Sequence, residues 1–195
     1  MSAIIPADVK EKTKKLLNDG KKLCDGLILS ANAIRAEASP ELINSHGSIG
    51  HNAQLHHASY RALSECYADA LSSLNDNNIT GLTASVKEIR QTKANSSIFE
   101  VIGEAEKYQQ NVNGVESNSR RKVAECNPSM HRINEALKIS AELAKSLRTN
   151  MTILGDLLPV IERAEKNSIR ETGVIGGGFH TDAQDGPPKG PIPLG

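Results

Sequence analysis

Residues 128–170 read PSMHRINEALKISAELAKSLRTNMTILGDLLPVIERAEKNSIR. Met130, Ile133, Leu137, Ser140, Ala144, Leu147, Met151, Leu154, Leu158 and Ile161 fall at alternating steps of three and four, and only Ser140 among them is polar. A run of that spacing keeps one face of an α-helix apolar along its whole length, as in a coiled coil or a long bundle helix. Pro128 suits a first helical position, and Asn127 is placed to cap it. The stretch decides the fold class: all-α, built from long helices lying side by side.

Placed row by row, the same helix carries more apolar surface than one neighbour can cover. Ala136, Leu143, Leu157 and Ala164 flank the heptad, and Ile139, Ile153 and Val160 form a further row beside them. A two-stranded coiled coil needs only the narrow seam. The helix is therefore expected to be the central strut of a bundle or a subunit contact. Leu147, Met151, Leu154, Leu158, Ile139, Ile153 and Val160 are its candidate interaction residues. Pro159 has no N–H to give the carbonyl of Gly155, so a hinge is expected at Gly155–Pro159 on the polar side.

Working outward, a first helix is expected from Pro6 or Ala7 to about Ser39. Val9, Leu16 and Leu23 form one row, Thr13, Gly20, Leu27 and Ile34 the next, and Leu17, Cys24, Ala31 and Ala38 a wider flank. Gly20 and Gly26 weaken it by up to about 1 kcal/mol each relative to Ala. Lys14, Lys15, Lys21 and Lys22 read as a solvated face in preference to a strip for an anionic partner. A turn-rich connector, 40–51, leads to a helix over 52–75 with Leu55, Ala62, Cys66, Ala70 and Leu74 along its seam. Thr80 is placed to cap a third helical stretch reaching about Glu125. Asn113–Gly114 is a strong turn signal, so that stretch is expected to run as one irregular helix or to divide near 112–118.

The composition changes after Arg170. Residues 173–195 hold seven of the fifteen glycines and four of the eight prolines. This divides the chain into a helical bundle domain, 1–171, and a flexible or extended tail, 172–195. Around Pro188 and Pro191 the tail favours polyproline II, the conformation that aromatic-lined grooves dock. The predicted architecture is an elongated antiparallel bundle of four or five helices with this tail attached.

Charge and composition narrow the functional classes. Lys+Arg and Asp+Glu balance at 23 each, without the basic excess that phosphate capture needs, so no nucleic-acid partner is expected. Aromatic residues make up 3% and Trp is absent, which argues against stacking platforms and aromatic-lined ligand pockets. Cys24, Cys66 and Cys126 form no CxxC pair and read as small apolar residues. No apolar run approaches the ~18 residues of a transmembrane helix, and the basic N-terminal region holds no signal-peptide core. The expected setting is cytoplasmic, with export by a route lacking a cleaved signal as the alternative.

Chemistry-bearing constellations are sparse. His46, His51, His56 and His57 cluster and are weak metal candidates, because His56 and His57 point about 100° apart on a helix and neither has a His at spacing three or four. Glu-x-x-His and His-Glu-x-x-His patterns are missing, and so is a Gly-x-Ser-x-Gly elbow. Gly176–Gly178 lacks the Gly-Lys-Ser/Thr of a phosphate loop. The reading is a non-enzymatic helical interaction or structural protein without cofactor, which self-associates as a homo-oligomer or docks a protein partner through apolar helix faces and its tail. Two alternatives stand beside it. One is an exported helical effector or toxin component acting on a membrane or host partner; the other is a bundle holding a metal or small ligand near the histidine-rich connector.

Overall fold

The computed structural model describes residues 5–38, 49–92, 94–119 and 128–175. They form α1 (Ala7–Glu37), α2 (Ile49–Asn75), α3 (Ile79–Gln91), α4 (Ala94–Ser119) and α5 (Pro128–Ile175). α1 packs on α2 and α5, while α3 and α4 pack on both α2 and α5. α3 and α4 follow each other along one strut, so the bundle is a square of four struts with α1 diagonal to α3–α4 and α2 diagonal to α5.

Neighbouring struts are antiparallel. α1 meets α5 at Leu16 with Asn150 and again at Ser30 with Ser140. It meets α2 at Asp25 with Ser64, and Lys10 reaches Asn77 in the turn just after that helix. α5, 48 residues long, spans about 72 Å at the helical rise.

The core is a stack of heptad positions. All ten residues of the three-and-four row in α5 are buried, from Met130 to Ile161. In α1 the buried line is Thr13, Leu17, Gly20, Cys24, Leu27, Ala31 and Ile34. Leu17, Cys24 and Ala31, expected at the flank, stand at the centre, and Val9, Leu16 and Leu23 are half-buried beside them.

α2 corrects its expected seam. Leu55 is 54% exposed, Ala62 is exposed, and Cys66 is half-buried; only Ala70 and Leu74 of that set are buried. The buried line is Ala53, His56, Tyr60, Leu63, Tyr67, Ala70 and Leu74. The aromatic residues win these places because each buries more area than a leucine and still satisfies its hydroxyl. Tyr60 donates to the Ser97 carbonyl at 3.3 Å and Tyr67 to Asn150 Oδ1 at 2.8 Å. The helix also begins at Ile49, earlier than expected.

The third strut divides elsewhere than expected. α4 runs as helix through Asn113–Gly114, and the break lies at Thr92, whose backbone is extended with ψ 144°. The cap of α3 is Asn78 and not Thr80: its Oδ1 accepts from Gly81 N at 3.0 Å. Asn77 makes the preceding turn at φ 54°, a conformation asparagine tolerates better than most side chains. α5 continues past Glu171 to Ile175. Pro188, Pro191, Asn127, Cys126 and His46 lie outside the described residues.

Candidate functional site

The structure separates the seven candidate interaction residues of α5 into two groups. Leu147 and Leu154 are fully buried, and Met151 and Leu158 are 6% exposed, so these four hold the bundle together from inside. Ile139 is 56% exposed, and Ile153 and Val160 are half-buried. These three form the row that the core does not absorb. Leu143, one turn beyond Ile139, lies over Gly26 with Cδ1 3.1 Å from the place a Cβ would take. The row therefore follows the outer edge between α5 and α1.

Other exposed apolar residues are Leu29 at 70%, Leu55 and Phe99. Leu29 belongs to no apolar row of the sequence, which left it without a signal. Phe99 is overlaid by the Arg148 guanidinium at 4.5 Å from the ring centre, tying α4 to α5 through a cation–π contact.

At the expected hinge the helix is unbroken. Pro159 faces solvent, as expected, and α5 stays helical through it. Gly155 is buried beneath the Arg90 side chain, whose Nε stands 2.8 Å from the position of an added Cβ. Glycine there admits the arginine of α3.

The described histidine candidates, His51, His56 and His57, do not converge. His51 is exposed and His57 half-buried, whereas His56 is 4% exposed and faces the core. Its Nε2 lies 3.3 Å from Glu104 Oε2, and Asn52 Nδ2 donates to Glu104 Oε1. This cluster joins α2 to α4. No group of three or more His, Cys, Asp or Glu suited to a metal ion is present among the described residues.

Among the described residues, three polar layers cross the interior. Tyr67 and Asn150 form one, with Asn150 Nδ2 donating to the Leu16 carbonyl at 2.9 Å. Ser140 donates to Ser30 Oγ, and Ser30 to the Ala136 carbonyl, each at 2.8 Å. The His56 cluster is the third. Buried polar groups are costly unless paired, so such layers fix which residues face each other.

Burial dominates the titration of the interior. It pushes the Cys24 thiol up to about 12, with the Asp25 carboxylate adding to the effect, and Cys66 up to about 11. Tyr60 and Tyr67 are pushed above the ordinary phenol value by burial, and Tyr108 to about 12. At neutral pH both thiols are protonated and poor nucleophiles. On the surface, the hydrogen bond from Lys21 holds Asp25 below the usual carboxylate range.

No protein-family model matches this chain, and no curated protein or solved structure matches it either. No described helix is long and apolar enough to cross a membrane.

Proposed function

We propose that the protein is a non-enzymatic helical interaction protein that self-associates through the outer edge of α5. The row of exposed Ile139 with half-buried Ile153 and Val160 carries this reading. Apolar side chains left in water along one edge gain free energy when a second surface covers them, at about 25 cal/mol per Å². Leu147, Met151, Leu154 and Leu158 act behind that edge as its rigid support. The segment holding Pro188 and Pro191 supplies a further contact. A cytoplasmic setting belongs to the proposal, because free thiols such as Cys24 and Cys66 persist where the medium is reducing.

The test is light scattering over a concentration series. The parent chain is expected to be oligomeric. A triple variant, Ile139→Glu with Ile153→Glu and Val160→Glu, is expected to be monomeric with unchanged helix content. A parent protein that stays monomeric at high concentration overturns self-association. Truncation after Ile175 is expected to leave the melting temperature unchanged while weakening assembly.

A further inference from the structure

We propose that the bundle contains a binding site for a single structural water molecule, held between His56 Nδ1 and Ser140 Oγ, which links all four struts into one polar layer. This goes beyond the self-association reading and does not depend on it. A cavity of about 10 Å³ lies between the helices, lined by His56, Tyr60, Glu104 and Ser140 and by apolar walls including Ala31 and Ala53. That volume corresponds to one water molecule. His56 Nδ1 is fully buried and has no hydrogen-bond partner among the described residues. A buried imidazole nitrogen left in that condition is destabilising, and a water with two polar neighbours removes the cost.

The hydrogen-bond directions follow for the neutral imidazole. The Glu104 carboxylate accepts from Nε2–H, which leaves His56 Nδ1 as an acceptor. Ser140 gives its hydroxyl proton to Ser30, and Ser30 gives its own to the Ala136 carbonyl. Ser140 Oγ therefore also has accepting capacity to spare. One water donates a proton to each acceptor. The completed chain runs from Asn52, His56 and Glu104 through the water to Ser140, Ser30 and the Ala136 carbonyl. It touches α2, α4, α5 and α1 in a single layer.

Two measurements on the parent chain and one on variants decide it. A high-resolution crystal structure is expected to show ordered solvent within hydrogen-bond distance of both His56 Nδ1 and Ser140 Oγ. Nitrogen NMR at pH 8 is expected to find the neutral Nε2–H tautomer of His56. In a cycle of Ser140→Ala, His56→Phe and the double variant, each single change loses the same water. The double variant's drop in melting temperature should therefore fall well short of the sum of the two. A dry cavity, the opposite tautomer, or additive shifts would each overturn the proposal.

Discussion

The Tyr67 hydroxyl donates a 2.8 Å hydrogen bond to Asn150 Oδ1, crossing the bundle on its diagonal from α2 to α5. The bond passes over Gly20 of α1: a Cβ there would overlap the phenol ring and stand 2.8 Å from Asn150 Oδ1. The bare glycine also leaves the Leu16 carbonyl within reach of Asn150 Nδ2, so three helices meet at this point.

Gly20→Ala should therefore reverse the usual sign of such a change. In an exposed helix interior the substitution stabilises by about 1 kcal/mol. Here the overlap is expected to cost about 1–3 kcal/mol, as overpacking does in tight cores. Thermal melting followed by circular dichroism reads the outcome, and a raised melting temperature contradicts this packing.

Asn150→Leu leaves the Tyr67 hydroxyl without its acceptor and the Leu16 carbonyl without its added donor. A loss of about 2 kcal/mol is expected from the stranded hydroxyl. Adding Tyr67→Phe should recover part of it, because both ends of the broken bond are then apolar. Urea unfolding of the three variants gives the coupling; strict additivity would show the two residues to be independent.

Alkaline pH should unfold the chain cooperatively. The three tyrosines are all buried, at 1%, 0% and 3% exposure for Tyr60, Tyr67 and Tyr108. Their folded pKa values, and that of Cys24, lie above the unfolded ones, so the neutral forms favour folding. This contribution is whole well below pH 9.0, at which the unfolded thiol is half ionised, and declines as pH climbs toward the folded Cys24 value of about 12. Tyrosinate absorbance should rise together with the loss of helix. A rise near pH 10 in a chain that keeps its helix content would place a tyrosine at the surface.

Leu147→Asp and Ile139→Glu should separate the two faces of α5. Leu147 is fully buried, so an aspartate there strands a carboxylate in the core and is expected to cost more than about 4 kcal/mol, enough to unfold a marginal domain. Ile139, at 56% exposure, should tolerate glutamate within about 0.5 kcal/mol. Equal effects on melting would refute the assignment of inner and outer faces.

Much of this architecture can be read in the chain, and its exceptions have physical causes. The α5 heptad was legible because ten positions repeat one signal, and one serine could not obscure it. The seam of α2 was obscured by hydropathy ranking, which prefers Leu55 to His56, Tyr60 and Tyr67 although the tyrosines bury more area. The break at Thr92 left a trace in the phase. Ile89 and Ile98 both face the core but stand nine residues apart, about two and a half helical turns, so one unbroken helix would turn one of them outward. Asn113–Gly114 misled because its turn preference is local and α4 carries its helix through it. The His56–Glu104 pair had no sequence signal, since 48 residues separate the partners and only the antiparallel register joins them.

The even number of struts has a mechanical corollary. Ile5 and the C-terminal turns of α5 lie at one pole, while Glu37 at the end of α1 and Pro128 at the start of α5 lie at the other. Tension applied between residues 5 and 175 would load the α1–α5 pair like a zipper, opening it contact by contact from that pole. The Leu16–Asn150 bond and, further along, the Ser30–Ser140 bond would meet the advancing fork in succession, as two stops along the path.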